Sequence, residues 1–296
     1  MPLNPIVQRI RKVTESIISL PTLPTVVSKM MELVDNPKTS AASLARLIST
    51  DQALTAKILK LANSAYYGFP REISTVNMAI VVLGFNTVKD MGLSLSVFQV
   101  FKEAEVNKAF DVSKFWEHCV GCGAAARMMA RRLKYRYVGE AFVAGLLHDI
   151  GKVVLNQYVH KEFMEILALT ADGTLSLDDA EDKTLGTSHA QIGSWLAEKW
   201  NLPKIIVESI TYHHEPWEAK NEPLLVAIVS IANYLCHCSS IGNSGRIIPL
   251  KPDNRSWEIF QNTLSPLGET DLDALTTEFL LEFDRTESIM SFINDD

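Results

Sequence analysis

The sequence predicts an all-α protein in two helical subdomains, the second a helical bundle, followed by a C-terminal helical extension. Three observations carry this. Almost every periodic segment repeats its apolar residues at three and four positions, these segments are separated by capping residues and by Gly or Pro stops, and no convincing series of strands occurs. With 296 residues, 47% of them hydrophobic, the chain is long enough for one or two sizeable cores.

In the first hundred residues, Ile6, Ile10, Val13 and Ile17 are spaced as one helical face. Pro21 to Pro24 brackets a turn, and Val26, Met30, Leu33 and Val34 follow as a second face that stops at Asn36-Pro37. Thr39 or Ser40 caps the next helix, with Leu44, Leu47 and Ile48 inward. Asp51 caps another, with Leu54, Ile58 and Leu61 inward and Gly68 as its stop. Ser74 opens a helix ending at Gly84, and Thr87 opens one carrying Val88, Met91, Leu95 and Phe98. The polar stretch from Lys102 to Asp111 marks a boundary, giving expected domains 1–105, 106–245 and 246–296.

In the second part, Ser113 caps a long helix with Phe115, Cys119, Cys122, Ala126, Met129 and Leu133 on one face. After a break at Lys134 to Gly139, Glu140 begins a helix on which Ala141, Ala144 and Gly145 share a face with His148, small enough for a neighbouring helix to come close. That helix must stop or kink near Gly151. Val153 to Leu169 reads as one helix and Ala171 to Leu177 as a loop. Thr187 or Ser188 caps a helix with His189, Pro203 starts one that runs to His213-His214, and Leu224 to Cys236 carries Asn233.

Composition excludes several classes. The longest apolar stretch, near Met78 to Leu83, falls far short of the roughly 20 residues a membrane span needs, and no continuous apolar leader opens the chain, so a cytoplasmic protein is expected. The net charge of −7 comes from the last thirty residues, where nine acids face Arg285 alone, so nothing marks the chain as a polyanion binder. A segment resembling a DNA-reading helix-turn-helix, Leu44 to Asn63, presents only Lys57 and Lys60 and lacks the usual turn glycine; nucleic acid is not an expected partner. The basic run Arg127, Arg131, Arg132, Lys134 and Arg136 suits a helix C-terminus and is also able to meet the acidic tail. Cys119 and Cys122 have zinc-site spacing, but they and Cys236 and Cys238 fall in apolar helical patterns, where cysteine is an ordinary core residue.

The chemistry gathers in one half. Five of the seven histidines, His118, His148, His189, His213 and His214, flank or end apolar helical faces, with Asp149 beside His148. A single buried imidazole needs only a hydrogen bond; several buried together with a carboxylate are satisfied at once by one or two metal ions. A histidine-rich shell favours Fe, Mn or Zn over Mg or Ca.

Leu146-Leu147-His148-Asp149-Ile150-Gly151-Lys152, with an upstream histidine and a downstream His-His pair, is similar to the HD superfamily of metal-dependent phosphohydrolases. Leu20-Pro21-Thr22-Leu23-Pro24, Asp51-Gln52-Ala53-Leu54, Leu61 to Gly68 and Ala79 to Gly84 resemble the HDOD family, the HD-related output domains of bacterial signalling proteins. The resemblance implies a divalent metal centre, dinuclear in the two-metal branch, on His118, His148, Asp149, His189, His213 and His214. It places Asn233 where the enzymes have a final acid, and Lys152 where it would face a phosphate. Asp149 and Lys152 are then the groups on which catalysis would rest, with Glu140 and Glu215 as further acids near the centre. The Gly-Tyr-Pro segment of cyclic di-GMP hydrolases is absent, since His214 leads into Glu215-Pro216-Trp217. The expected function is a regulatory module acting through protein partners of a signalling pathway, with a largely retained metal site; the alternative is a phosphohydrolase on a nucleotide or phosphoester.

Overall fold

The computed structural model describes residues 22–34, 39–64, 66–101, 110–245, 251–264, 272–286 and 289, and among these every regular element is helical. The expected face on Ile6, Ile10, Val13 and Ile17, and most of the polar stretch from Lys102, lie outside the described residues. The described chain divides into two compact units, one made of 22–101 with residues from 281 onward, the other of 110–280.

The first unit holds α1 (Thr25–Val34), α2 (Ala41–Ile48), α3 (Gln52–Ala62), α4 (Val76–Leu83) and α5 (Phe85–Val100). Short polar side chains start them: Ser40, Asp51 and Thr75 each accept the backbone N–H three residues on. Leu23, Val27, Met30, Leu44, Ile48, Ile58, Leu61 and Met91 fill the core. The inward face of α1 runs through Val27, Met30 and Met31; of the expected stripe Met30 is fully buried, while Val26 and Leu33 are only half-buried. Thr75 rather than Ser74 caps α4, and α5 begins directly at Phe85 because Gly84, at φ +92, turns the chain between the two helices in a conformation other residues avoid. Asn63 closes the loop after α3, its amide donating to the Ile73 carbonyl (2.8 Å) and accepting the Ile73 N–H (2.7 Å).

The second unit is built on α6 (Val112–Arg132), α7 (Val138–Leu147), α8 (Ile150–Tyr158), α9 (His160–Thr170), α10 (Leu177–Leu185), α11 (His189–Lys199), α12 (Lys204–Tyr212) and α13 (Pro223–Cys238), with α14 (Asn254–Leu264) against α13 and α15 (Leu272–Phe283) after it. Asp111, not Ser113, caps α6. The expected single helix from Val153 to Leu169 is two, broken at Val159, whose φ of −131 leaves the helical region. The basic end of α6 is paired: Arg132 Nη1 lies 2.6 Å from Glu278 Oε2 in the acidic C-terminal part, and Arg136 meets Glu222.

Glycines set the closest approaches. A Cβ on Gly145 would stand 2.6 Å from the Cys122 carbonyl oxygen, so α6 and α7 touch backbone to backbone, as the small residues around it lead one to expect. A Cβ on Gly151 would stand 1.9 Å from the His189 carbonyl oxygen and 2.8 Å from the Gly193 nitrogen. Gly151 is thus not where the helix stops; the break falls at His148-Asp149, and Gly151 is the seat on which the start of α11 rests. Replacing Gly151 by Ala should lower stability by about 2–3 kcal/mol, roughly 5–10 °C in Tm, because backbone has no rotamer with which to give way. Thermal unfolding followed by far-ultraviolet circular dichroism checks this.

Candidate metal centre

Four helix ends and one helix interior deliver the polar residues to one point. His148 closes α7 and Asp149 opens α8; His189 is the first residue of α11; His213 and His214 follow the last turn of α12; His118 sits within α6. Helix ends leave backbone groups without intrahelical partners, and here the ligands themselves take them up. His148 Nδ1 lies 2.7 Å from the Gly145 carbonyl oxygen and His213 Nδ1 2.8 Å from that of Ile210. A carbonyl only accepts, so each Nδ1 carries the proton and each Nε2, in the neutral ring, presents a lone pair.

Those lone pairs converge on a carboxylate. His148 Nε2 is 3.3 Å from Asp149 Oδ2, while His189 Nε2 and His213 Nε2 are 3.2 and 3.5 Å from Asp149 Oδ1. His118, His148, Asp149 and His189 are fully buried and His213 nearly so. His148 Nε2, His213 Nε2 and Asp149 Oδ1 are buried atoms with no hydrogen-bond partner. Burial would push the Asp149 carboxyl up, yet the side chains of His148, Lys152 and His189 around it hold it well below the usual carboxylate range. Burial pushes the His213 imidazole down to about 4, which keeps it neutral. Burial likewise acts to lower His189, but the neighbouring Glu181 charge prevails and raises it to about 9.

Two ligand groups meet at Asp149. His118, His148 and Asp149 form one, His189, His213 and His214 the other, and within each group the ligand atoms lie within 4.8 Å of one another. His214 Nε2 is 3.2 Å from His189 Nε2, and its side chain keeps 16% of its exposure. The bare Nε2 atoms of His148 and His213, facing Asp149 Oδ1, fit a divalent cation. Every residue of the expected ligand set is therefore at this centre.

Lys152, which the resemblance would place facing a phosphate, is 1% exposed and its Nζ donates to Asp149 Oδ2 at 2.6 Å, with Ser244 Oγ at 3.4 Å. Asn233 is on α13, its Oδ1 3.0 Å from His118 Nε2. Sequence reasoning looked to Glu140 and Glu215 for further acid; Glu215 is exposed and neither is among the ligand groups of the described residues. The acid that matters is Glu181, fully buried, whose two oxygens accept from His189 Nδ1 at 2.7 and 2.9 Å and from the His189 backbone N–H at 2.9 Å. It rides on α10, a helix left unread in the sequence. Its signal was there: Ser176 as cap, Leu177, Ala180, Thr184 and Leu185 on one face, Gly186 as the left-handed stop. A carboxylate behind a ligating imidazole orients the ring and raises its basicity. Glu181→Gln should weaken divalent-metal binding about 10- to 100-fold with the fold intact, measured by competition with a chelator.

Residues 20–216 match the HDOD domain family. The crystal structure of an HDOD domain protein of unknown function from Geobacter sulfurreducens is 26% identical, with a TM-score of 0.77 over 98% of each chain. That of a Shewanella amazonensis SB2B protein named "Putative phosphohydrolase" is 23% identical, with a TM-score of 0.71 over 95% of this chain and 96% of that one. An uncharacterized protein of Treponema pallidum (strain Nichols) is 24% identical over 223 residues, 75% of this chain, which spans only 43% of that relative's length. No helix among the described residues is long and apolar enough to cross a membrane. With most of its length inside the family match and the all-helical architecture shared with an HDOD structure, the chain belongs to the HDOD domain family.

Proposed function

We propose that this chain is a regulatory HDOD module of a signalling pathway whose second unit holds one or two divalent cations, Fe, Mn or Zn, on His118, His148, Asp149, His189, His213 and His214. The supporting observation is the convergence of buried His148 Nε2, His213 Nε2 and Asp149 Oδ1, which have no hydrogen-bond partner among the described residues and which a cation would satisfy together. Asn233 in place of a final acid leaves Asp149 as the one carboxylate grouped with His118 and His148, with Asp178 3.6 Å from His214 on the other side, so one carboxylate fewer would face two cations. The ligands are buried, with His214 alone half-open, and Lys152 is occupied by Asp149. These features favour a metal that organises the bundle for protein partners over one that turns over a substrate.

A second reading, a phosphohydrolase, is favoured by one observation: Asp149, a member of one ligand group, lies 3.2 and 3.5 Å from His189 and His213 of the other, with a lysine ammonium beside it. A cation there would supply Lewis-acid polarisation of a phosphoryl oxygen and acidify a water. In that reading Asp149 positions the cations, His214 and Asp178, 3.6 Å apart and both part-exposed, are where a substrate would approach, and Lys152 helps to hold Asp149 ionised.

Elemental analysis of the purified chain is expected to find bound divalent metal, lost in His148→Ala and His213→Ala, and chelation is expected to lower Tm. A panel of phosphomonoesters, cyclic nucleotides and dinucleotides is expected to show no metal-dependent turnover. Turnover that disappears in Asp149→Asn would establish the hydrolase instead. A metal-free protein whose Tm is unchanged by chelator and by His148→Ala would remove the centre from both readings.

A further inference from the structure

A second group of ligating atoms lies beside the histidine cluster and shares only His118 with it. On α6, His118 and Cys122 are four residues apart and so share a face; on α13, Asn233 and Cys236 are three apart and share another. The two faces meet. His118 Nε2 is 3.6 Å from Cys122 Sγ and 3.0 Å from Asn233 Oδ1, and ligand atoms of His118, Cys122 and Cys236 all fall within 4.8 Å of one another. His118, Cys122 and Cys236 are fully buried and Asn233 is 6% exposed. All the cysteines are free thiols.

The crowding on His118 Nε2 is the informative part. That nitrogen has one proton or one lone pair, and it faces two partners. The other ring nitrogen, Nδ1, is buried without any. A cation among the four side chains would take the imidazole lone pair, both sulfurs and the amide oxygen together. The spacing agrees. Zinc bonds of about 2.3 Å to sulfur and 2.0–2.1 Å to nitrogen at a tetrahedral angle put the two ligand atoms roughly 3.6 Å apart. Two sulfurs, one imidazole and one neutral oxygen are the donors of a borderline-soft cation, unlike the imidazole-carboxylate set around Asp149.

We propose that His118, Cys122 and Cys236, with Asn233 as fourth donor, form a zinc-type thiolate site clamping α6 to α13. Binding replaces the two thiol protons, which leave to solvent, with two sulfur–metal bonds; no oxidant or reductant takes part. His118 belongs to this group and to the one on Asp149, so filling either site draws on a ligand of the other. The amide at position 233 has a role here that a carboxylate would not fill as well: two thiolates already neutralise a divalent cation, and a neutral oxygen completes the shell without surplus charge. The spacing Cys119 to Cys122, which looks zinc-like in the sequence, is not the one used; the partner of Cys122 comes from α13.

The test uses the full chain, reduced and stripped of metal, titrated with cobalt(II). A thiolate-to-cobalt charge-transfer band in the near ultraviolet should grow and saturate at one equivalent. It should be lost in Cys236→Ser and Cys122→Ser and retained in His213→Ala, a variant that disables only the centre on Asp149. Cobalt binding without that band, while denatured protein titrates all four thiols, overturns the proposal, as does a Cys122–Cys236 disulfide in the purified protein. The wild-type spectrum decides the matter even where a serine variant fails to fold. Retention of the band in His213→Ala together with loss of all other metal separates this site from the centre proposed above.

Discussion

Asp149 is the group around which the second unit has to be arranged. A carboxylate held fully out of water is costly unless charge and hydrogen bonds compensate it, and this one is ringed by Lys152, His148, His189 and His213. Those partners come from α7, α8, α11 and the end of α12, so no two of these elements can shift without exposing a charge or a lone pair. The geometry is possible only because the backbones approach closely. Gly151 lets the start of α11 lie directly on α8, and Gly145 lets α7 lie on α6, in each case where a single methyl group would collide with a carbonyl.

Around that centre the chain uses one device repeatedly: a ligand at a helix terminus whose second ring nitrogen satisfies the helix's own loose carbonyl. His148 and His213 do this with the residue three before them. The same bond that finishes the helix also fixes the tautomer, so secondary structure and metal chemistry are set by one interaction. His189, at a helix start where no free carbonyl exists, takes its orienting acceptor from Glu181 on another helix. The loop after α13 closes the far side. Gly242, at φ +63, lies against the backbone at His118, Asn243 donates its N–H to the Lys114 carbonyl at 2.8 Å, and Ser244 is carried fully inside, between Lys152 and His237.

Charge explains why position 233 matters to both halves of α13. With an acid there, the group of His118 and His148 would hold two carboxylates; with Asn233 it holds Asp149 alone, and the amide turns to His118 beside Cys122 and Cys236. Glu181 partly offsets the loss from outside the ligand set, by its charge on His189.

The helical class, many helix starts and the histidines of the candidate centre are legible in the sequence alone, because these depend on neighbours a few residues away. Ser40, Asp51 and Ser188 cap the helices they precede, and His148-Asp149, His189 and His213-His214 stand where apolar periods end. Errors fell where two local signals compete: Asp111 over Ser113, Thr75 over Ser74, the break at Val159. Only the tertiary structure decided which polar side chains share a space. Glu181 comes to His189 across the turn between α10 and α11, Lys152 is drawn inward by Asp149 rather than left at the surface, and Cys122 finds Cys236 more than a hundred residues away instead of Cys119 next to it. The reason is geometric: a helical period says which way a residue faces along its own axis, and only the crossing of two helices says what it meets there.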